Sequence, residues 1–200
     1  MRTAQEYPPT KEKMLEAAEK LVLGKGFVGT TVDDICEKAG VTKGSFFHYF
    51  ESKDELGREL LERYCANSKE AFFAGCCREE KDPLKRVFGF LDFMIKMAKE
   101  KGKTGCLVGS MAQELADTNS AIRSICAKAF TEMAENLKKD LVEAKIKYAP
   151  KSKINPQSLA DHFVAVLEGG MLVAKVRRDS NTMASSLSHF KEYLKPLFNV

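Results

Sequence analysis

Residues 42 to 45 bring together side chains that suit an anionic partner. Thr42 and Ser45 carry hydroxyls that donate or accept hydrogen bonds, and Lys43 between them carries a positive charge. Gly44 has no side chain to keep a partner away from the backbone. A helix that begins here would add its first free amides and the positive end of its dipole. The cluster therefore predicts contact with phosphate groups.

The helix that precedes this cluster has its start and its end marked in the sequence. Thr31 followed by Asp34 is a variant of the capping box, in which a side-chain oxygen and a carboxylate meet the exposed amides of a helix start. A short helix is therefore predicted from Val32 to Lys38. Gly40 is predicted to end it, because glycine adopts positive φ without a Cβ penalty.

The helix that carries the cluster is predicted to begin at Lys43, with Thr42 as its N-cap. Two helices joined by a tight turn that contains glycine form the helix-turn-helix pattern. The second helix of that pattern lies in the major groove of DNA and reads it with its N-terminal residues. The phosphate-binding cluster is thus predicted at the position where such a helix meets DNA.

The stretch from Lys11 to Leu56 resembles the DNA-binding domain of the TetR family of repressors. An amphipathic first helix is followed, in order, by GF, TTVDDI, AGV, KGSFFHYF and SKDEL. The resemblance implies a three-helix helix-turn-helix domain at residues 1–53 and a helical effector-binding and dimerisation domain at residues 54–200. It also implies a homodimeric transcriptional repressor that binds double-stranded operator DNA.

By position, the resemblance implies DNA contacts along the second and third helices. The residues implied are Thr31, Thr42, Lys43, Gly44, Ser45, Phe47, His48, Tyr49 and Lys53. Phe47 departs from the family pattern, which often has tyrosine there, and is expected to be a packing residue or an apolar contact to a base. Taken alone, Gly44 could serve conformation only and His48 could be an ordinary surface histidine. Phe46 and Phe50, one helical turn apart, are predicted to be core.

Net charge does not by itself identify the DNA-binding part of the chain. The whole sequence carries +4, yet residues 1–70 hold eleven lysines and arginines against thirteen aspartates and glutamates. A positive surface is therefore expected only locally, from Lys11, Lys25, Lys43, His48 and Lys53.

Composition and motifs exclude several other classes of protein. No apolar run reaches the roughly 20 residues of a membrane span, and the first ten residues have no signal-peptide core, so no membrane and a cytoplasmic location are expected. The six cysteines show no paired metal-ligand spacing and are expected to be thiols, with no metal and no cofactor. Phosphate loops, nucleophile elbows and HExxH motifs are lacking, so an enzyme is not expected.

Beyond the first domain, apolar residues recur at helical spacing and no strand alternation is found, which predicts an all-α fold. The last two predicted helices, over Ser158 to Val176 and Met183 to Phe198, are expected to form a four-helix interface with a second copy. The first of them is apolar on more than one side, and its Gly169-Gly170 pair permits close helix approach. The alternative is that this segment is the buried centre of a monomer.

The segment GCLVGSMAQEL is the best indication of what the protein senses. It resembles a subgroup of the family whose members often respond to electrophiles or oxidants. Cys106 lies at a predicted helix start, where amide dipoles favour the thiolate, and Lys175 could be a second polar group of the same site. Two alternatives remain open. Cys106 could be a small buried packing residue, or an apolar inducer could bind reversibly among Phe93, Met97, Met111, Phe163 and Met171.

The residues leave two other functions as alternatives. An enzyme that uses Cys106 or His162 lacks a recognisable pairing of nucleophile and base. A helical adaptor that binds only protein would leave the two caps and the cationic first turn unexplained. A DNA-binding repressor, released by a small-molecule or thiol-reactive inducer, is therefore the favoured prediction.

Overall fold

The computed structural model describes residues 7–73, 79–100 and 105–200, without the side chains of residues 69–73. Within this part of the chain all regular structure is helical, which confirms the predicted all-α fold. The helices are α1 (Pro9–Lys25), α2 (Val32–Ala39), α3 (Lys43–Tyr49), α4 (Lys53–Phe73), α5 (Pro83–Lys99), α6 (Leu107–Leu115), α7 (Ser120–Tyr148), α8 (Pro156–Arg177) and α9 (Asn181–Leu197).

The caps predicted around the helix-turn-helix are present. The amide of Asp34 donates to the Thr31 hydroxyl over 3.1 Å, and the amide of Thr31 donates to the Asp34 carboxylate over 2.7 Å. Gly40 ends α2 in the left-handed conformation, with φ of 68°. α2 continues one residue beyond the prediction, to Ala39, and α3 begins at Lys43 as predicted. Local hydrogen bonds thus fix both helices of the motif.

The chain divides into two compact units, and the first consists of residues 1–71 and 106–129. It contains α1, α2, α3, α6 and most of α4. Its core includes Phe46 and Phe50, which are buried with ring centroids 5.4 Å apart, so both are the core residues that helical spacing predicts. The first unit therefore joins the helix-turn-helix to the helix that follows Cys106. The domain boundary predicted between residues 53 and 54 stays a prediction.

Charged contacts between α4 and α1 add to this packing. The guanidinium of Arg63 is 2.8 Å from a carboxylate oxygen of Glu19 and also pairs with Glu12. Lys11 pairs with Glu59 over 2.7 Å. Arg63 is largely buried and pairs with two carboxylates of α1. These charged hydrogen bonds fix the position of α4 along α1.

The second unit consists of residues 72–105 and 130–200, with α5, α8 and α9 and the later part of α7. α9 packs against both α5 and α8. A Cβ added to Gly170 would lie 3.4 Å from Met183 Cα, whereas one added to Gly169 would meet nothing within 4 Å. Of the predicted glycine pair, Gly170 therefore allows α8 to approach α9 within the chain, and Gly169 faces outwards.

The last two predicted helices agree with α8 and α9 to within two residues at each end. Helical spacing also predicts that the fourth helix ends near Gly75 and the fifth near Gly102, and both residues lie outside the described part of the chain. In the described part of the chain, no helix is both long enough and apolar enough to span a membrane.

Candidate nucleic-acid interface

The first turn of α3 presents small and cationic groups at the surface. Thr42 caps the helix by accepting a hydrogen bond from the amide of Ser45 over 3.1 Å, and their hydroxyls are also 3.1 Å apart. Lys43 and Gly44 are exposed. A Cβ added to Gly44 would meet only the Thr42 hydroxyl, at 3.6 Å, and Gly44 does not adopt positive φ. The fold therefore does not require glycine here, although an external partner that approaches closely would.

Lys43 has a partner inside the protein. Its ammonium is 2.8 Å from a carboxylate oxygen of Asp33 on α2, and both side chains are well exposed. The hydrogen bond that the Lys43 ammonium donates to Asp33, together with the negative charge of Asp33, raises the pKa of Lys43. An exposed pair is weak in water, so a phosphate group can replace Asp33 as the partner of Lys43.

The other lysines expected to form a local positive surface are also engaged within the first unit. Lys11 pairs with Glu59, and Lys25 is 2.8 Å from a carboxylate oxygen of Asp34. The hydrogen bond from Lys25 is the main reason why the pKa of Asp34 is held well below its usual range. The expected positive surface is thus offset by neighbouring carboxylates, and DNA binding by this surface requires an exchange of partners.

The aromatic residues of α3 separate into buried and exposed positions. Phe47 is 57 % exposed and touches Phe46 edge to face, with centroids 5.2 Å apart. The exposed His48 and the half-buried Tyr49 have ring centroids 4.8 Å apart. The hydroxyl-bearing Thr31 at the start of α2 is exposed as well. Four predicted DNA contacts on α3 are therefore accessible to a ligand: Lys43, Gly44, Phe47 and His48. Ser45 and Tyr49 are half-buried.

Lys53 occupies a position that the sequence did not reveal. Its ammonium donates to the carbonyl oxygens of Phe27, over 3.1 Å, and Thr30, over 2.9 Å. It also lies 4.7 Å from the centroid of the Phe27 ring. Lys53 therefore stabilises the turn between α1 and α2, and its predicted contact with the DNA backbone stays a prediction.

Glu114 is a second residue that sequence reasoning missed. Its carboxylate accepts hydrogen bonds from the backbone amides of Phe27, over 3.1 Å, and Val28, over 2.8 Å. The partners are more than eighty residues apart in the chain, so no local spacing indicates the contact. The only sequence signal is an acidic residue in the otherwise uncharged α6.

Cys106 is the N-cap of α6. Its sulfur accepts a hydrogen bond from the amide of Gly109 over 3.4 Å, and the residue is buried. Burial is the main reason why the pKa of Tyr64 is raised, and the nearby Cys106 adds to the shift. The thiol of Cys126 donates to the carbonyl of Val108 over 3.6 Å. Tyr64 and Cys126 thus lie near the first turn of α6.

The apolar residues predicted to surround an inducer do not all belong to one unit. Phe163 is buried in the core of the second unit, where Phe93 and Met171 pack against the same core. Met97 is half-buried on α5, whereas Met111 is buried in the first unit. Phe93, Phe163 and Met171 are therefore the members of the set that the structure brings to one core.

Lys175 and His162, predicted for polar sensing and for catalysis, both lie on α8. Lys175 is exposed on α8 in the second unit. His162 is exposed and lies edge to face against Phe190, with centroids 5.5 Å apart. Among the described residues, no group of three or more His, Cys, Asp or Glu side chains could hold a metal ion.

One face of α8 carries apolar side chains that the chain itself leaves uncovered. Leu172, Val173 and Val176 are exposed, and Gly169 lies in open space one turn before them. Tyr193 of the neighbouring α9 is exposed too. Tyr193 lies beside the first half of α8, with its ring centroid 6.0 Å from that of His162. Exposed apolar groups that share one helix face, as Leu172, Val173 and Val176 do, are typical of an interaction surface.

Two family profiles cover most of the chain. Residues 14–60 match the family described as bacterial regulatory proteins, tetR family. Residues 83–188 match the C-terminal domain described as transcriptional regulator LmrA/YxaF-like. The chain belongs to the TetR family. A member of this family with a helix-turn-helix of this geometry is a DNA-binding transcriptional regulator, as the sequence predicted.

Other TetR-family proteins are similar along nearly the whole length. The HTH-type transcriptional repressor DhaR of Mycobacterium sp. is 24% identical over 188 residues, which are 94% of this chain and 93% of DhaR. The HTH-type transcriptional repressor NemR of Escherichia coli is 26% identical over 186 residues, or 92% of this chain and 94% of NemR.

Solved structures show the same fold. The crystal structure of the reduced form of E. coli NemR superposes with a TM-score of 0.78 at 26% identity, covering 92% of this chain and 96% of that one. A regulatory protein TetR from Rhodobacter sphaeroides gives a TM-score of 0.81 at 25% identity, covering 92% of this chain and 98% of that one. The relatives named here are regulators or repressors, which supports a regulatory rather than an enzymatic role.

Proposed function

We propose that the protein is a homodimeric repressor that binds operator DNA through α3 and is released from it by a small-molecule or thiol-reactive inducer. The observation that carries the DNA-binding part is the first turn of α3, where Lys43 and Gly44 are exposed and Ser45 is half-buried beside a capped helix start. In helix-turn-helix proteins this end of the second helix contacts base edges and phosphates.

Each residue of the turn has a distinct part in this proposal. Lys43 leaves Asp33 and pairs with a phosphate, and Gly44 lets the DNA backbone or a base edge approach. Phe47 offers an apolar contact to a thymine methyl group, which suits its exposure better than packing does. The remaining proposed contacts come from Thr31, Thr42, Ser45, His48, Tyr49 and Lys53.

The exposed face of α8 supports the homodimer. Leu172, Val173 and Val176 form an apolar surface on α8 that a second copy would cover. Two copies joined there would present two α3 helices to half-sites about 34 Å, or a multiple of that distance, apart. The alternative of a buried monomer centre is less favoured, because these side chains are exposed in the single chain.

The surroundings of Cys106 support the thiol-reactive version of the inducer. If the sulfur adds to an activated carbon–carbon double bond, as in a maleimide, a sulfur–carbon bond forms, the π bond breaks, and the thiol proton is replaced by a proton that ends on the neighbouring carbon. The adduct enlarges a buried side chain and disturbs the helix cap, in which the amide of Gly109 donates a hydrogen bond to the Cys106 sulfur. The similarity to NemR, whose crystal structure is described as a reduced form, agrees with a thiol-based response. Lys175 remains a proposed second polar group.

Reversible binding of an apolar inducer is the competing proposal for the sensor. It is favoured by the flexible and aromatic side chains around Phe93, Phe163 and Met171 in the second unit. Met97 of α5 belongs to this proposal as well, whereas Met111 is buried in the first unit. The two versions differ in one respect: only the first depends on the sulfur of residue 106.

A mobility shift with the DNA upstream of the chain's own gene tests DNA binding. Lys43→Ala is expected to weaken the specific shift and to reduce the slope of log affinity against log salt by about 0.9, because one phosphate contact is lost. Lys20→Ala, which removes an exposed charge from α1, is the matched control and should change neither. A helical adaptor would give no specific shift with any of the three proteins.

Treatment of the bound complex with N-ethylmaleimide tests the thiol version. The wild-type protein should release its DNA, and Cys106→Ser should remain bound, since serine keeps a capping oxygen but not the nucleophile. Cys65→Ser on α4 is the matched control and should release DNA like the wild type. Normal release by Cys106→Ser under every thiol-reactive agent would contradict the thiol version and leave the apolar one.

A further inference from the structure

The turn between α1 and α2 satisfies most of its own backbone groups. Gly26 adopts φ of +84° and donates its amide to the carbonyl of Val22 over 2.9 Å. The buried hydroxyl of Thr30 donates to the carbonyl of Gly26 over 2.7 Å, and the amide of Thr30 donates to that of Phe27 over 3.1 Å. The amides of Phe27 and Val28 are left to find an acceptor outside the turn.

Glu114 of α6 supplies that acceptor with both oxygens of one carboxylate. One oxygen accepts from Phe27 and the other from Val28, over 3.1 and 2.8 Å. A Cβ added to Gly26 would lie 2.6 Å from the first oxygen. The absence of a side chain at Gly26 therefore gives the carboxylate its space, and the turn forms a concave site for this anion.

The carbonyl side of the turn is held by a charge of the opposite sign. Lys53 of α4 donates to the carbonyls of Phe27 and Thr30, as described above. The Phe27 ring is buried against α4, where a Cβ added to Gly57 would lie 2.7 Å from it. Met111, one turn before Glu114 on α6, lies 3.4 Å from the same position. The turn is thus fixed between two helices.

The turn leads directly into the DNA-reading helices. Thr30 ends it, and Thr31 is the N-cap of α2, which packs against α3. We propose that Glu114 is a positioning residue for DNA binding: its carboxylate fixes α2 and α3 relative to α6, and a shift of α6 that breaks its two hydrogen bonds lowers DNA affinity. The effect of an α6 shift on DNA affinity rests on the proposed function. It implies that the signal of the inducer passes through α6, whose N-cap is Cys106.

Amide hydrogen exchange tests the contact without DNA. Glu114→Ala should make the amides of Phe27 and Val28 exchange about tenfold faster or more, because each loses a hydrogen bond to a charged acceptor. Gln113→Ala, at the exposed neighbouring position of α6, should leave both rates unchanged. Unchanged exchange of both amides in Glu114→Ala would overturn the proposal.

DNA affinity tests the positioning. Glu114→Ala should weaken the shift of the upstream DNA about tenfold while the salt slope stays that of the wild type, since Glu114 touches no phosphate. Glu114→Gln keeps one acceptor oxygen, so it should bind the DNA more tightly than Glu114→Ala and less tightly than the wild type. Gln113→Ala keeps the carboxylate of Glu114 and therefore should bind like the wild type. Faster exchange at Phe27 and Val28 with wild-type affinity would overturn the positioning role.

The two proposals fail in different ways. If the wild-type protein gives no specific shift, the proposed function is refuted, and the exchange rates of Phe27 and Val28 still decide whether Glu114 holds the turn. If the wild type binds but Glu114→Ala binds equally well, the proposed function stands and the positioning role is refuted. A reduced salt slope in Glu114→Ala would also count against positioning, because it would indicate a lost phosphate contact.

Discussion

Lys43 and Asp33 form an ion pair between α2 and α3, with the ammonium 2.8 Å from a carboxylate oxygen. The pair lies at the cluster of residues proposed to meet phosphate. DNA binding through Lys43 therefore competes with a carboxylate that the protein itself provides. This competition suits a regulator that must leave non-specific DNA readily, since phosphate contacts supply most of non-specific affinity.

Asp33→Asn is expected to strengthen DNA binding. The amide keeps the shape of the side chain but releases Lys43 and removes a negative charge from the DNA-facing surface. The gain should be about two- to fivefold, the range of an exposed ion pair, and it should shrink as salt is raised. Titration with the upstream DNA at two salt concentrations measures it. Glu37→Gln removes the same charge from an exposed position of α2 without touching Lys43, and an equal gain there would contradict the specific competition.

Gly44→Ala is expected to stabilise the fold and to weaken DNA binding. Alanine in a helix is more stable than glycine by roughly 0.5–1 kcal/mol, and the added methyl group has room within the protein. The same methyl group would stand between α3 and DNA. Thermal unfolding and mobility shift together check both signs. Gly24→Ala, on α1 with open space around it, should give a similar stabilisation with unchanged DNA binding.

Val176→Lys is expected to separate the proposed dimer. Val176 is 76 % exposed in the single chain, so the substitution should leave the fold intact while it puts a charge into the apolar face of α8. Sedimentation at micromolar concentration should show a monomer, and the upstream DNA should bind more weakly. Ile146→Lys, at a position of α7 that is 69 % exposed, should stay dimeric. If Val176→Lys sediments as a dimer, as Ile146→Lys should, the interface lies elsewhere.

Cys126 is expected to make stability fall in the alkaline range. Burial raises the pKa of its thiol from 9.0 to about 11. Below pH 9 the thiol is neutral in both the folded and the unfolded protein, so the contribution of Cys126 to the free energy of unfolding is fully present. Between pH 9 and about 11 only the unfolded chain ionises, and the free energy of unfolding declines. Unfolding of the wild type and of Cys126→Ala across this range should show a steeper decline for the wild type, because the variant keeps only the contributions of other groups, such as Tyr64, whose pKa burial also raises.

Much of the helix-turn-helix was predictable because its determinants are local. Thr31 and Asp34 cap α2 within three residues of each other, and Gly40 ends it through its own backbone conformation. Phe46 and Phe50 show their burial by spacing alone. A short stretch of sequence contains the groups that interact, so reading that stretch is sufficient.

The contacts that hold the motif in place could not be read in this way. The family resemblance implies that Lys53 contacts the DNA backbone, and the structure adds that its ammonium donates to carbonyls more than twenty residues earlier in the chain. The carboxylate of Glu114 accepts hydrogen bonds from backbone amides that lie more than eighty residues earlier in the chain. Charged side chains reach several partners of similar chemistry, and only the packing of α1, α4 and α6 decides between them. The same holds for Gly169 and Gly170, of which only one faces a neighbouring helix.

The contact between Glu114 and the α1 to α2 turn has a consequence for protein engineering. A chimera that takes residues 1–60 from one regulator and the remainder from another would combine a turn and an α6 that were never matched. Transplanting α6 along with the recognition module keeps the carboxylate, Gly26 and the paired amides from one parent. Hybrid regulators designed with that boundary should retain tight operator binding where the simpler exchange loses it.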